Sequence, residues 1–429
     1  MPNTYWLETL GCPKNQVDSD KLAGTMVADG FVAAADPSEA DVVVVNTCAF
    51  IEAARTESIE TILALDDVRR PGARLVVTGC MAERYGAELA ESLPEVDLVA
   101  GFGVPVTLGR RPPSGAASVG ASLASFDLLN LPRPRASAPW AYVKVAEGCD
   151  RACGFCAIPS FRGPQRSRSI DAILAEVDGL EVAEVVLVAQ DLASYGRDIG
   201  RGDATRRGSA ARRGDIVSLV GQVAERVART RLLYLYPSDL DDALVDAICA
   251  TGVAYFDLSL QHASRPLLRR MRRWGDGARF LDRIATIRSR EPRAAFRSSF
   301  IVGYPGETEA DHDLLLEFLD QAQLDWAGFF AYSPEDGTHA AGLDQTVAPD
   351  LAAERLGELS ALQDEITTAR QARMVNSVVE VLVDEPGVGR THREAPEIDG
   401  VVLIPENLVT GQFAQVTVTG VAGLDLEAA

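Results

Sequence analysis

The stretch Val145-Ala-Glu-Gly-Cys149-Asp-Arg-Ala-Cys153-Gly-Phe-Cys156 decides how this chain is interpreted. Its three cysteines stand on one short loop, directly after an apolar segment that is typical of a β-strand. Three thiolates at this spacing can hold three irons of a four-iron, four-sulfur cluster and leave the fourth iron open to a reactive ligand. Structural zinc is the alternative, but zinc sites usually close with four ligands, and the nearest downstream histidine is His262.

The residues around this loop alternate between strand and helix signals. The strand candidates are Ala141–Ala146, Glu184–Ala189, Leu232–Tyr236, Tyr255–Leu260, Phe296–Gly303 and Ala327–Tyr332. Six strand–helix units in series predict a partial (β/α)6 barrel. The Arg- and Gly-rich stretch 201–214 interrupts one unit, and we interpret it as a flexible surface loop, with a local substrate contact as the alternative.

The first part of the chain also alternates strand and helix signals. Strands are predicted at Tyr5–Leu10, Asp41–Val45 and Leu75–Thr78, with helices such as Ser19–Asp29 and Ile51–Leu65 between them. This pattern predicts an α/β domain with a parallel sheet and helices on both faces.

Three more cysteines, Cys12, Cys48 and Cys80, each come just after one of these strands. They are about one βαβ unit apart, and the carboxyl ends of parallel strands share one edge of a sheet. We therefore expect them to converge in space as ligands of a second cluster, the alternative being three small buried residues. Cys249, within a helix-like segment, is expected in the core.

Four regions follow from these patterns. We predict an N-terminal α/β domain over 1–110, a Pro- and Ser-rich linker over 111–139, a central barrel over 140–370 and a small antiparallel β-barrel over 371–429. The strands predicted in the last region are Val378–Val383, Val401–Ile404 and Gln415–Val418.

Composition limits the class of protein. The chain has 429 residues, a net charge of −21 and an ordinary 47% of apolar residues. No apolar run approaches the roughly 20 residues that span a bilayer, and the start does not resemble a signal peptide, so a cytoplasmic protein is expected. Its seven cysteines indicate metal or redox chemistry rather than disulfides, and its acidity argues against strong nucleic-acid binding.

Some polar positions near the barrel strands are weaker candidates. His262 follows a strand and either faces the pocket or is simply hydrogen-bonded. The turn Gly303–Thr308 either receives a polar cofactor group or is a plain loop with Thr308 as the helix N-cap.

The cysteine loop, with an aromatic residue before its last cysteine, resembles that of the radical S-adenosylmethionine (SAM) enzymes. With the three N-terminal cysteines and the small C-terminal barrel, the whole chain resembles the methylthiotransferases, and among them the RimO family. The supporting sequences are Gly11-Cys-Pro-Lys-Asn-Gln-Val-Asp-Ser19, Asn46-Thr-Cys-Ala-Phe50, Cys156-Ala-Ile-Pro-Ser160 with Arg162-Gly163, Phe300-Ile-Val-Gly-Tyr-Pro-Gly-Glu-Thr308 and Ala395-Pro-Glu-Ile-Asp-Gly400. The chain departs from the family at Gly154, where Thr is usual, and at Ser259, where Pro is common.

The resemblance implies two 4Fe-4S clusters and a known division of labour between them. The cluster on Cys149, Cys153 and Cys156 would bind and cleave SAM to a deoxyadenosyl radical, which removes hydrogen from an unactivated carbon. The cluster on the N-terminal cysteines would carry or deliver sulfur, and a second SAM would supply the methyl group. Gln190, Gln261 and Arg297 are the predicted SAM contacts.

In the RimO family the substrate is an aspartate β-carbon of the small-subunit ribosomal protein S-twelve, and the C-terminal domain resembles TRAM modules that hold the substrate. A reductant such as flavodoxin or ferredoxin is the other implied partner. Residues 375–429 carry two arginines against nine carboxylates, which suits a basic protein better than RNA. The alternatives are a transfer-RNA adenosine methylthiotransferase and a non-catalytic metal-binding protein of the ribosome.

Overall fold

The computed structural model describes residues 2–106, 118–120, 126–199 and 209–429. The chain forms two compact units. The first comprises Met1–Arg135, Ala146–Asp150 and Cys156–Arg168, and the second comprises Ala136–Val145, Arg151–Phe155 and Ser169–Ala429. Among the described helices, none is both long enough and apolar enough to cross a membrane.

The elements are numbered along the chain. The strands are β1 (Thr4–Thr9), β2 (Val32–Ala33), β3 (Val42–Thr47), β4 (Arg74–Gly79), β5 (Leu98–Ala100), β6 (Ser118–Val119), β7 (Trp140–Lys144), β8 (Ala146–Glu147), β9 (Arg166–Ser167), β10 (Glu184–Val188), β11 (Arg229–Leu232), β12 (Tyr255–Gln261), β13 (Ala295–Val302), β14 (Trp326–Ala331), β15 (Val378–Glu385), β16 (Val388–Arg390), β17 (Val402–Leu403), β18 (Phe413–Ala422) and β19 (Asp425–Ala428). The helices are α1 (Pro13–Ala28), α2 (Glu52–Val68), α3 (Cys80–Ser92), α4 (Ile158–Arg162), α5 (Ile170–Leu180), α6 (Ser209–Ala224), α7 (Asp242–Cys249), α8 (Arg265–Arg270), α9 (Gly277–Arg290), α10 (Glu309–Ala322) and α11 (Pro349–Ala372).

The first unit is built on a six-stranded sheet in which every pairing is parallel, in the order β2-β1-β3-β4-β5-β6. Successive valines of β3 point to opposite faces, as side chains of a strand must. Val43 shares one core with Ile62 of α2, and Val44 shares the other core with Leu22 of α1. The prediction of a parallel sheet with helices on both faces is confirmed.

The predicted linker lies partly outside the described residues, since 111–117 and 121–125 are not described. Residues 126–135 belong to the first unit, where Leu128 and Leu129 are buried. The buried Lys21 donates to the Leu129 carbonyl oxygen. This segment is therefore held against the first unit by both apolar and polar contacts.

The second unit contains six parallel strands that follow one another in chain order. β7 pairs with β10 and β10 with β11, while β12 pairs with β13 and β13 with β14. A single parallel bridge between Leu235 and Leu258 joins the two halves. The prediction of a partial (β/α)6 barrel is confirmed.

Three predictions within the barrel are wrong in detail. The third strand was expected at Leu232–Tyr236, but it runs from Arg229 to Leu232. Tyr234 has a left-handed φ of 64°, which does not fit a regular β-strand. Of the stretch 201–214, residues 201–208 lie outside the described residues, but 209–214 belong to α6 rather than to a loop. Cys249 ends α7 half-buried, so it is not the core residue that was expected.

Residues 378–428 form a closed barrel in the order β15-β16-β17-β19-β18. Its core holds alternate residues of long strands, such as Val381 and Val383 of β15 and Val416 and Val418 of β18. The predicted small barrel is confirmed, although it has five strands where three were predicted. It is not purely antiparallel either, because β17 and β19 pair in parallel.

This C-terminal barrel covers the amino ends of the central strands. Glu184, the first residue of β10, is fully buried between Arg231 of β11, at 2.7 Å, and Arg390 of the C-terminal barrel, at 3.0 Å. Trp326, the first residue of β14, donates from Nε1 to the Arg393 carbonyl oxygen at 2.8 Å. The carboxyl ends of the strands are thereby left as the edge at which ligands of such barrels bind.

Candidate metal centres

The three N-terminal cysteines lie where three adjacent parallel strands end. Cys48 follows β3 directly, Cys80 begins α3 directly after β4, and Cys12 is the N-cap of α1 just beyond β1. Cys48 and Cys80 are buried and Cys12 is half-buried. The strand register β1-β3-β4 therefore places all three at one edge of the sheet, as the sequence predicts.

Asn15 links the three strand ends. Its Nδ2 donates to the carbonyl oxygens of Leu10, at 2.9 Å, and of Thr47, at 3.0 Å. Its Oδ1 accepts a weak hydrogen bond from Cys80 Sγ at 3.6 Å. Asn15 is fully buried, so these contacts fix the backbone just before Cys12 and Cys48 and hold the side chain of Cys80.

The backbone beside Cys48 is shaped by a glycine. Gly11 has a φ of +96°, which L side chains rarely adopt. A Cβ on Gly11 would lie 2.9 Å from Cys48 Cβ and 3.0 Å from Cys48 Sγ. Only glycine therefore allows the backbone at position 11 to approach Cys48 this closely. Three buried or half-buried thiols at one edge of the sheet are soft donors, and their chemistry fits a sulfur-ligated metal group.

The thiols sit in an electrostatically mixed environment. Burial raises the pKa of Cys48 to about 12, and the neighbouring Cys12 and Cys80 add to this rise. Burial also raises the pKa of Cys80. Burial acts in the same direction on Cys12, but Lys14 and Arg162 outweigh it, so the pKa of Cys12 is lowered. Metal binding at these thiols must therefore release protons from them.

The second cysteine set lies on the loop after β7 and β8. Cys149 is buried, and its backbone N–H donates to the Gly163 carbonyl oxygen at 3.1 Å. Cys153 and Cys156 are half-buried. Across the described residues, no three His, Cys, Asp or Glu side chains are arranged to hold a single metal ion.

The second unit holds the middle of this loop in place. The Gly154 N–H donates to the Met271 carbonyl oxygen at 2.8 Å, and a Cβ at Gly154 would lie 2.7 Å from the Tyr304 hydroxyl. This close approach accounts for glycine where the family usually has threonine. Arg273 donates from Nη1 to Cys153 Sγ at 3.4 Å, a contact that sequence reasoning missed.

The predicted SAM contacts have unequal positions. Gln190 comes shortly after β10 and Gln261 ends β12 with a left-handed φ of 71°, so both lie at the carboxyl edge of the barrel. Arg297 is near the amino end of β13 instead. It is ion-paired with Asp257 at 3.4 Å and with Asp399 of the C-terminal barrel at 3.2 Å.

The two weaker candidates are explained by local hydrogen bonding. His262 is buried, its Nδ1 accepts from the Ser264 N–H at 3.0 Å, and burial lowers its pKa to about 3. Thr308 is the N-cap of α10 in a capping box with Asp311. Glu307 accepts from the N–H groups of Gly303 and Tyr304, so hydrogen bonds within the protein account for this part of the turn.

Comparison with known proteins agrees with this architecture. Residues 4–101 match the family described as uncharacterized protein family UPF0004, residues 143–319 match the radical SAM superfamily, and residues 374–429 match the TRAM domain. Among solved structures, the radical SAM methyltransferase TsrM from Kitasatospora setae shares the fold with a TM-score of 0.50 at 14% identity, over 85% of this chain and 89% of that one.

The barrel and its cysteine loop define a radical SAM protein. The N-terminal domain and the TRAM barrel, which are added to this core, define which kind of radical SAM protein it is. The chain is 41% identical to the ribosomal protein uS12 methylthiotransferase RimO of Cutibacterium acnes, over 99% of this chain and 97% of that protein. It is 40% identical to that of Streptomyces coelicolor, over 99% and 96%. The chain belongs to the RimO family of radical SAM methylthiotransferases, which use SAM and 4Fe-4S clusters.

Proposed function

We propose that this enzyme adds a methylthio group to the β-carbon of an aspartate in ribosomal protein uS12. The relatives that match over nearly the whole chain carry this substrate in their name. The proposal also requires a protein rather than an RNA substrate, which the charges of the C-terminal barrel address directly.

The observation that carries the substrate class is the fate of the two arginines of residues 375–429. Arg390 is 1% exposed and paired with Glu184 and Asp384. Arg393 is 8% exposed and paired with Asp325 at 2.6 Å. Both arginines are therefore buried and ion-paired inside the second unit. Neither is available to contact the phosphate backbone of an RNA, and such contacts dominate RNA affinity. Its carboxylates suit a basic ribosomal protein.

We assign one cluster to Cys149, Cys153 and Cys156, and the other to Cys12, Cys48 and Cys80. Cys149, Cys153 and Cys156 would hold three irons of a four-iron cluster, which when bound would supply an electron and an open iron for SAM. Gly11 lets the backbone approach Cys48 closely, and Asn15 fixes the strand ends before Cys12 and Cys48 and contacts the Cys80 thiol. The proposed ligand atoms are all thiol sulfurs, which favour iron–sulfur clusters or zinc over hard cations.

We propose Gln190 and Gln261 as SAM contacts, because both lie at the carboxyl edge of the barrel. Arg297 is better assigned to the contact between the central and C-terminal barrels, because its guanidinium is already paired with two carboxylates. Arg273, beside Cys153, is added as a residue that orients the loop.

Three further points belong to this proposal. A small electron carrier such as flavodoxin or ferredoxin delivers the electron, and the enzyme acts in the cytoplasm, where its substrate is made. The domain boundaries are those of the sequence analysis, near 110, 139 and 370, which the matched ranges 4–101, 143–319 and 374–429 support.

The test uses the anaerobically reconstituted enzyme with SAM and a chemical reductant, offered either uS12 or bulk transfer RNA. We expect one methylthio increment on uS12 and none on RNA, measured by intact-protein and nucleoside mass spectrometry. Cys249→Ala, which removes a cysteine outside both sets, is the matched control and should stay active. A methylthiolated nucleoside with unmodified uS12 would favour the RNA alternative, and zinc without sulfide in the protein would favour the non-catalytic one.

A further inference from the structure

Arg162 ends α4, shortly after the last cysteine of the 149–156 loop, and its side chain is 1% exposed. Its Nη2 donates to Cys80 Sγ at 3.0 Å and to Asn15 Oδ1 at 2.9 Å. A buried guanidinium is expensive unless its donors are used, and here one terminal nitrogen is aimed at a thiol and at the amide that links the strand ends.

The other contacts of Arg162 hold this geometry. Nη1 donates to Glu147 Oε1 at 2.7 Å and lies 3.6 Å from Asp18 Oδ2. The guanidinium carbon lies 4.5 Å from the centre of the Phe102 ring. Two carboxylates and one aromatic ring therefore fix the plane of the guanidinium, so that Nη2 keeps its direction toward sulfur.

Contacts of this kind govern both how firmly a metal is held and how easily it is reduced. Partners that hydrogen-bond to a ligand orient it and tune the metal, and hydrogen bonds to sulfur raise the reduction potential of iron–sulfur clusters.

We propose that Arg162 is a positioning residue for the N-terminal cluster: its N–H group holds the Cys80 thiolate as a ligand and raises the reduction potential of that cluster. The proposal rests on the assignment of Cys12, Cys48 and Cys80 as cluster ligands. Because Arg162 ends the short helix α4 that begins just after Cys156, it also links the chain segment that follows one cysteine set to a ligand of the other.

The test isolates the N-terminal site in the full-length chain by replacing Cys149, Cys153 and Cys156 with alanine. This parent is reconstituted anaerobically with iron and sulfide, and its iron content should be roughly four per chain. Three arginine variants are made in the same background: Arg162→Gln, Arg162→Lys and Arg166→Gln. Arg166 is the matched control, because it is 55% exposed and pairs with Asp127 away from the cysteines.

Two properties other than activity are measured: the rate of iron loss to a chelator, and the midpoint potential in a titration followed by electron paramagnetic resonance. Arg162→Gln should weaken iron binding by roughly 10- to 100-fold. Its midpoint should become more negative. Arg162→Lys keeps the charge but cannot reach all partners of the planar guanidinium, so iron loss should rise by about threefold or more. Arg166→Gln should match the parent.

The inference is overturned if Arg162→Gln matches the parent in both iron loss and midpoint. If Arg162→Gln fails to fold by circular dichroism, the lysine variant decides, and an iron-loss rate equal to that of the parent then overturns the inference. A parent chain that binds no iron would instead refute the N-terminal cluster itself, and with it the proposed function. The two failures are therefore distinguishable.

Discussion

Replacing Gly11 by alanine adds two effects: backbone strain at a positive φ, and a close contact with the proposed metal ligand Cys48. At a φ of +96° an L residue costs roughly 1–2 kcal/mol. The new Cβ would also lie 2.9 Å from Cys48 Cβ, and overpacking of this kind costs roughly 1–3 kcal/mol. We therefore expect the free energy of unfolding to fall by about 2–5 kcal/mol. A domain in the middle of the ordinary range of stability, about 10 kcal/mol, remains folded after this loss.

Gly72 provides the matched control in the same domain. Its φ is +87°, and a Cβ built there meets nothing within 4 Å. Gly72→Ala thus carries the backbone cost alone, roughly 1–2 kcal/mol, and both variants share the same entropic effect on the unfolded chain. Stability is measured by urea unfolding of the metal-free chains, whose difference reports the close contact at Cys48.

The functional difference should be larger than the difference in stability. Gly11→Ala pushes on Cys48 itself, so the N-terminal site should lose iron while the 149–156 loop still supports SAM cleavage. Iron content, deoxyadenosine release and methylthiolated uS12 are measured side by side for both variants. If Gly11→Ala keeps full iron and full product while Gly72→Ala behaves the same, the reasoning about the space beside Cys48 is refuted.

Three other predictions follow from the same contacts. Glu184→Gln removes the fully buried carboxylate between two arginines and should lower the free energy of urea unfolding by about 3–5 kcal/mol. Glu380→Gln, at a side chain that is 52% exposed, should lower it by less than about 1 kcal/mol. Equal losses would contradict the burial argument. In the metal-free protein at pH 8, iodoacetamide should label Cys12 at least roughly tenfold faster than Cys48. The pKa of Cys12 is lowered, whereas the pKa of Cys48, about 12, leaves almost no thiolate. Equal labelling rates in peptide mass spectrometry would contradict this. Cys149→Ala should abolish SAM cleavage, while Cys48→Ala should leave cleavage intact and stop sulfur insertion, and methylthiolated product from Cys48→Ala would disprove the second assignment.

The parts of the fold that depend on local pattern were predictable from the sequence. Four consecutive valines, Val42–Val45, predict a buried strand because branched apolar residues suit a sheet that is covered on both faces. Since Cys12, Cys48 and Cys80 follow such strands, parallel order alone was enough to predict that they share an edge.

The parts that depend on distant partners were not predictable. Arg229 and Arg231 begin β11, although arginine argues against a buried strand, because Arg231 pairs with Glu184 and Arg229 donates to the Arg390 carbonyl oxygen. The pair between Arg390 and Glu184 joins residues 206 positions apart, and no local period records it.

The same limit applies to the site itself. Asn15 and Arg162 stood within quoted family motifs, but their contacts with Cys80 appear only once three chain segments are folded together. The short strands β16 and β19 of the C-terminal barrel were missed as well, because strands of three and four residues carry too little alternation to show a period.

The measurement that tests the central claim most directly is the intact mass of uS12, purified from wild-type cells and from cells lacking this gene. We expect uS12 from wild-type cells to be heavier by one methylthio group than uS12 from the deletion strain. Restoring the gene should bring the increment back, whereas restoring Cys48→Ala should not. An unchanged mass in the deletion strain would contradict the proposed function.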